Sequence, residues 1–214
     1  MQSGSPIGWS EMDTGRLEAF SDGVFAIVIT LLVLELKVPD VATQVADGEL
    51  PQALAHLWPK LLSYAISFVV IGVYWVAHHY QFHIIARVNR ALLWINMAFL
   101  MAVSFIAFSA ALLGEYPRSH TALAVYGANL IAVNLVLATL WQYATRVAPL
   151  TDAPLSPLAH RTVRRKNLLP VLVYSVAIAL AFVRPAFSLA LYCVVPVLYI
   201  LPDHFDRYWG ITPQ

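Results

Sequence analysis

The stretch that decides the fold is RLEAFSDGVFAIVITLLVLE, residues 16–35. The twelve residues before Glu35 are apolar or small, apart from Thr30. Because a helix needs about 20 residues to cross the hydrocarbon core of a bilayer, this stretch predicts a membrane-spanning helix. It is the first of six apolar runs, which predict an all-α integral membrane bundle of six transmembrane helices. The runs lie roughly at 17–36, 58–82, 92–113, 121–145, 167–183 and 185–201.

The composition supports a membrane location. Of the 214 residues, 60% are hydrophobic and only 12% are charged, whereas a soluble domain carries about 25% charged residues. Lipid or other chains must therefore cover most of the outer surface. The formal net charge of +1 argues against nucleic acid as a partner, since nucleic-acid binding requires a clustered basic face.

The chain is predicted to form one unit. Neither of the longest loops, at about 37–57 and 146–166, is large enough for a separate folded domain, so residues 1–214 form a single six-helix transmembrane domain. The motif of the first span does not recur later in the chain. A pathway lined by this motif must therefore be assembled from several chains.

The last two apolar runs are short and are separated by Arg184 and Pro185. Proline disfavours helix in the residue before it, which indicates a tight turn at this point. Two spans are the preferred interpretation. The alternative is one kinked or re-entrant hairpin.

The distribution of basic residues predicts the orientation. Cytoplasmic loops of membrane proteins carry an excess of Lys and Arg, and placing both termini in the cytoplasm gives nine basic residues inside against four outside. We therefore expect a multi-pass membrane protein with both termini cytoplasmic. The nine are Arg16, Arg87, Arg90, Arg146, Arg161, Arg164, Arg165, Lys166 and Arg207.

The first span enters the membrane with polar residues. Arg16, Glu18, Ser21 and Asp22 occupy its first two turns, where a headgroup-level position is one explanation for Arg16 and Glu18. Aspartate is short and cannot extend to the interface as Lys and Arg do. Asp22 therefore requires a partner from another helix or another chain.

Three aliphatic residues of the same span share one helix face. At 100° per residue, Ile27, Leu31 and Leu34 fall within an arc of about 60°, with Thr30 at its edge. An ordinary helix-packing stripe explains this pattern as well as a pore lining does, because an apolar helix offers many such stripes.

The second span carries a polar face of its own. Trp75, His78 and His79 stand at i, i+3 and i+4, at the same predicted depth as Asp22. A hydrogen-bonded network between these three and the polar start of the first span is geometrically reasonable. A proton relay through the histidines is an alternative, since histidine titrates near neutrality. No metal site is predicted, because His79 and His83 lack a third ligand at a recognisable spacing.

Isolated polar residues in the third and fourth spans are interpreted as packing contacts between helices. No nucleophile–base pair, phosphate loop or dinucleotide fingerprint is present, so the chain is predicted not to be an enzyme and to need no cofactor. The residues interpreted as packing contacts are Asn96, Ser104, Ser109, Asn129 and Asn134.

The first-span motif resembles the signature of a known family. Arg16-x-x-x-Phe20-Ser21-Asp22-Gly23, continued by Val-Phe-Ala-Ile, is similar to that of the bacterial relatives of the endolysosomal potassium channel, transmembrane protein 175. The six-span layout and Trp75-x-x-His78-His79 also fit. The resemblance implies a potassium-selective or potassium-preferring channel of a bacterial plasma membrane that assembles as a homotetramer, with the first helix of each chain lining the pore and potassium as the permeant ion.

The resemblance also implies roles for particular residues. The aliphatic constriction of the family falls on Ile27, Leu31 and Leu34, and a threonine layer associated with selectivity falls on Thr30. The polar network that packs the pore helices falls on Arg16, Phe20, Ser21, Asp22, Trp75, His78 and His79.

Two other functions remain open from the residues alone. One is a proton-coupled transporter that uses Asp22 with His78 and His79. This sequence lacks the paired broken helices and inverted repeats common in transporters. The other is a non-conducting membrane scaffold, in which the same residues are only structural.

Overall fold

The structure is a computed structural model that describes residues 14–43, 46–152 and 155–200. Within these ranges the regular structure is helical, which agrees with the predicted all-α class. A 3-10 turn, Leu32–Glu35, continues α1, and a π-helical turn, Tyr143–Val147, continues α5. The helices are α1 Thr14–Leu31, α2 Ala46–His56, α3 Trp58–Ile84, α4 Arg90–Glu115, α5 His120–Gln142, α6 Pro157–Ala181 and α7 Pro185–Ile200.

Local sequence signals explain where several helices begin. The Asn89 side chain accepts a hydrogen bond from the Leu92 amide at 2.9 Å and so caps the start of α4. Ser119 and Ser156 cap α5 and α6 in the same way. These side chains satisfy backbone N–H groups that the first helical turn leaves unpaired.

The predicted count of six spans is not confirmed. Four helical segments of the described residues are long and apolar enough to cross a membrane, namely Thr14–Glu35, Trp58–Ile84, Arg90–Glu115 and His120–Val147. Helix α6 begins ten residues before the predicted run at 167–183, and its first three turns are basic. Helix α7 is apolar but has only 16 residues. The predicted cytoplasmic termini lie outside the described residues.

The predicted loop at 37–57 is also not wholly irregular, because it contains α2. This helix has a mixed polar and apolar composition and a proline, Pro51, inside it. A search of the sequence for apolar runs therefore does not detect this helix.

The bundle has two connected parts. Helix α1 packs against α3 and α4, and α5 packs against α6, which in turn packs against α7. Helices α4 and α5 join the two parts along their length, and α3 also touches α7. Hydrogen bonds also connect α3 to its neighbours: the Ser67 and Tyr126 hydroxyl oxygens lie 3.0 Å apart between α3 and α5, and the Ser63 hydroxyl of α3 donates to the Ala110 carbonyl of α4 at 2.6 Å.

In the part of the bundle formed by α5, α6 and α7, the three helices pack closely around Gly127 of α5. A Cβ atom at this position would overlap the Tyr192 hydroxyl and would come within 2.7 Å of a side-chain carbon of Ile178. Tyr192 is itself fixed, because it is buried and its hydroxyl donates to the Leu123 carbonyl at 2.9 Å. The close contact of α5, α6 and α7 therefore depends on a glycine here.

Replacement of Gly127 by alanine is expected to destabilise the fold. Overpacking a filled site costs about 1–3 kcal/mol, which outweighs the gain of about 0.5–1 kcal/mol that alanine brings to a helix interior. The melting temperature of the purified protein in detergent should fall by several degrees. Gly72→Ala is the matched control, since a Cβ at Gly72 meets nothing within 4 Å. A Gly127→Ala protein as stable as the control would contradict this packing.

Candidate functional site

Helix α1 has one face inside the chain and one face outside it. Phe25 and Val28 are almost fully buried against α3 and α4. On the other side, Ile27 is 60% exposed, Leu31 44% and Leu34 68%. The three residues that the helical wheel grouped therefore share a face that no other described residue of this chain covers.

The 3-10 turn keeps this face continuous. In a 3-10 helix, side chains at i and i+3 eclipse one another, so Leu34 stands directly beyond Leu31 although the α-helix has ended. Glu35 lies at the end of the turn and is exposed. The aliphatic stripe formed by Ile27, Leu31 and Leu34 is therefore followed in sequence by the Glu35 carboxylate.

Thr30 lies beside the stripe and is exposed, but its hydroxyl is engaged. It donates a hydrogen bond to the Ile27 carbonyl at 2.8 Å within the helix. The hydroxyl oxygen retains lone pairs that can accept from water or contact a cation.

Asp22 finds its partner on α3. The indole Nε1–H of Trp75 donates to an Asp22 carboxylate oxygen at 2.8 Å, and His79 stacks on Trp75 with ring centroids 5.7 Å apart. Both Asp22 and Trp75 are exposed in the single chain. The sequence-based expectation that Asp22 pairs with another helix is met here by an indole.

A second polar chain joins three helices in the interior. His78 Nε2 lies 2.8 Å from Asn96 Oδ1, Asn96 Nδ2 donates to Ser21 Oγ at 3.0 Å, and Ser21 Oγ donates to the Leu17 carbonyl at 2.9 Å. Because the amide oxygen of Asn96 can only accept, His78 must carry its proton on Nε2. In this series of hydrogen bonds, every donor therefore points in the same direction, from α3 through α4 to α1.

Aromatic rings enclose His78. Its ring stacks on Phe82 at 4.4 Å and on Phe99 at 5.2 Å between centroids, and Phe25 of α1 lies at 5.9 Å. The residue is 1% exposed. Among the described residues, Asn96 is the side chain with which the His78 ring forms a hydrogen bond.

The structure thus brings together five of the seven residues predicted as a polar network, in two groups. The side chains of Arg16 and Phe20 are exposed and make no hydrogen bond or ion pair with the described residues. Their inclusion in the network stays a prediction. The two groups are Asp22, Trp75 and His79, and Ser21 with His78.

Asn96 bonds across helices, as its interpretation as a packing contact predicts. It is fully buried and bonds to both Ser21 of α1 and His78 of α3, two partners that the sequence alone does not identify. The available signal was a lone amide in an apolar span, since such a group requires partners on neighbouring helices.

The described residues contain no cluster of three or more His, Cys, Asp or Glu side chains that could hold a metal ion. The site therefore offers hydrogen bonds and an aliphatic surface. Neither feature is a reaction centre.

Ser21→Ala is expected to destabilise the protein by about 1 kcal/mol, because it leaves Asn96 Nδ2 without its acceptor. Ser104→Ala is the matched control. Its hydroxyl also donates to a carbonyl four residues back, that of Leu100, and to no other helix. Thermal unfolding in detergent should show a lower melting temperature for Ser21→Ala alone. Equal melting temperatures for the two variants would show that the chain of donors contributes nothing to stability.

Comparison with known proteins places this architecture in one family. The sequence profile of the endosomal/lysosomal potassium channel TMEM175 matches residues 16–106. A potassium channel of Streptomyces collinus is 42% identical over 193 residues, covering 87% of this chain and 91% of the relative. The human endosomal/lysosomal proton channel TMEM175 is 25% identical, and the match covers 92% of this chain and 39% of that protein.

A solved structure agrees in both fold and sequence. The lysosomal potassium-selective channel TMEM175 homologue from Chamaesiphon minutus superposes with a TM-score of 0.77 at 37% identity, covering 88% of this chain and 96% of that one. The family consists of ion channels, which confirms the prediction that the chain is not an enzyme. The chain belongs to the TMEM175 family, as one of its bacterial members.

Proposed function

We propose that the protein is a potassium-selective or potassium-preferring channel whose pore is lined by α1. The observation that carries this proposal is the uncovered aliphatic face of Ile27, Leu31 and Leu34 on a helix whose opposite face is tightly held. Several relatives that match over most of their length are themselves named potassium channels. No cofactor enters the proposal, and potassium is the permeant ion.

The pore requires more than one copy of the chain. One α1 helix cannot enclose a path, so we place four copies around an axis as a homotetramer in the bilayer. Their outward faces then form stacked rings of Ile27, Leu31 and Leu34. Cyclic symmetry makes the same surface of each chain meet at the axis.

An aliphatic ring selects by hydration rather than by coordination. It offers an ion no oxygen ligand, so the ion must shed part of its water shell or the ring must widen. Potassium holds its hydration shell less tightly than sodium and so passes at lower cost. The sequence contains no Thr-Val-Gly-Tyr-Gly loop, so a carbonyl-lined filter of the usual potassium-channel kind is not part of this mechanism. A closed ring blocks conduction by dewetting.

The polar contacts set the rotation of α1. Ser21 and Asp22 lie next to one another, and each is held from a different direction, by Asn96 and by Trp75. Fixing these two positions determines which residues further along the helix point away from the chain. We assign Ser21, Asp22, Trp75, His78 and His79 this positioning role, together with Asn96.

The arrangement gives less support to a proton-coupled transporter. Of the titratable groups of that alternative, Asp22 bonds to Trp75, on which His79 stacks, whereas His78 bonds to the amide of Asn96. Proton flux is nevertheless worth measuring in the same assay, because the human relative is named a proton channel.

Ile27→Asn is expected to reduce the preference for potassium over sodium severalfold, because an amide in the ring replaces part of the lost hydration. Ile27→Val keeps the ring apolar and is the matched control. Potassium and sodium currents from purified protein in planar bilayers measure the permeability ratio, and a pH gradient across the same bilayer measures proton flux.

Selectivity that is unchanged when Ile27, Leu31 and Leu34 are all made polar would overturn the pore assignment. Saturable, pH-driven flux without channel events would favour the transporter. The absence of flux from folded protein would favour a scaffold.

We further propose that α6 and α7 both cross the plasma membrane, which gives six spans with cytoplasmic termini. Their packing supports this: α6 and α7 lie against each other and are connected by a short turn before Pro185. The basic first turns of α6 then lie at the cytoplasmic surface, as the excess of basic residues in that loop requires.

Cysteine labelling tests this topology. In a Cys193→Ala background, Arg184→Cys and Asp47→Cys should react with a membrane-impermeant thiol reagent added outside cells, whereas Asp152→Cys should react only after the membrane is opened. Protection of Arg184→Cys from outside, with Asp47→Cys labelled, would indicate a re-entrant hairpin and contradict six spans.

A further inference from the structure

The glycine at position 23 has no packing role within its own chain. Gly23 lies in the middle of α1 and is exposed, and a Cβ atom there would meet nothing within 4 Å. At Gly114, by contrast, a Cβ would lie 3.2 Å from the Lys60 Cα, and at Gly127 it would overlap the Tyr192 hydroxyl. Because glycine weakens a helix interior relative to alanine, contacts within the chain do not account for Gly23.

Gly23 lies on the uncovered face of α1, beside the aliphatic stripe. It stands one turn before Ile27, about 40° from it around the helix and about 6 Å back along the axis. Phe20 stands almost a further turn back, about 20° from Ile27, and it is 50% exposed. Along this face the helix therefore presents a phenyl ring, then no side chain, then an aliphatic side chain.

A carboxylate lies at the level of this gap. Asp22 directly precedes Gly23 and is exposed. Its partner Trp75 is a neutral indole, so their hydrogen bond orients the carboxylate without neutralising its charge. Arg16, the basic residue of α1, lies about 9 Å further back along the axis from Asp22. A negative charge beside an open volume favours a cation together with its water.

We propose that Gly23 forms a wide, hydrated chamber of the pore, in which a potassium ion keeps its water shell next to the Ile27 ring. The inference rests on the proposed pore lined by α1, and it adds a residue that sets conductance rather than selectivity. Around the axis, copies of Phe20 and of Ile27 bound the chamber on its two sides. The Asp22 carboxylates raise the concentration of cations near it.

The chamber limits the length of the path on which the ion is partly dehydrated. From Ile27 to Leu34 the stripe is about 12 Å long, over four residues of α-helix and three of 3-10 helix. A large aliphatic side chain at position 23 would lengthen this apolar path by about 6 Å. A longer apolar constriction dewets more readily and so conducts less.

Gly23→Leu is therefore expected to lower the single-channel potassium conductance severalfold, and Gly23→Ala should lower it only slightly. The permeability ratio of potassium to sodium should stay that of the wild type, because the Ile27 ring is unchanged. Gly72→Leu is the matched control and should conduct as the wild type does, since a Cβ at this position of α3 also meets nothing within 4 Å. Purified protein in planar bilayers supplies these currents.

Melting temperature and elution volume distinguish a chamber from a close contact between copies. Gly23→Ala and Gly23→Leu should melt no lower than the wild type and elute as the same oligomer, because both residues favour helix over glycine. A lower melting temperature or a dissociated oligomer would show that Gly23 packs against another copy and would overturn the chamber. Wild-type conductance in Gly23→Leu, or an equal loss in Gly72→Leu, would overturn it as well.

A charged thiol reagent tests for water at this level of the helix. In a Cys193→Ala background, Gly23→Cys should react with a positively charged, water-soluble reagent applied to both sides of the bilayer, and the current should fall severalfold. Val28→Cys, on the buried face of the same helix, should not react. Mass spectrometry counts the bound reagent.

The outcomes separate this inference from the proposed function. A Gly23→Cys protein as unreactive as Val28→Cys, in a channel that conducts and loses selectivity with Ile27→Asn, would refute the chamber and leave the pore in place. Wild-type protein without current would instead remove the proposed pore, and the chamber with it.

Discussion

The hydrogen-bonded chain from His78 through Asn96 to Ser21 is the interaction on which the proposed pore depends. In a bilayer the hydrophobic effect does not bring helices together, so polar contacts and close packing must fix how each helix is rotated. Here a buried amide on α4 bonds to both α1 and α3. With α1 rotated in this way, Phe25 and Val28 face inward, and Ile27, Leu31 and Leu34 are left uncovered.

The sequence predicted much of α1 and little of what surrounds it. Helical spacing grouped Ile27, Leu31 and Leu34 from the angle between residues alone, and all three side chains are exposed in the single chain. It also indicated that Asp22 needs a partner on another helix. Spacing does not say which helix faces which, so the bond from Trp75 to Asp22 was only a reasonable pairing, and the bridging place of Asn96 could not be found.

The later helices were harder to predict for a different reason. Apolar runs report where a chain meets lipid, whereas helix boundaries report where the backbone remains hydrogen-bonded. In α6 the two criteria separate: the helix begins at Pro157 after the Ser156 cap, but residues 161–166 are too basic to count as an apolar run. The same distinction hid α2, whose residues form a helix without forming a span.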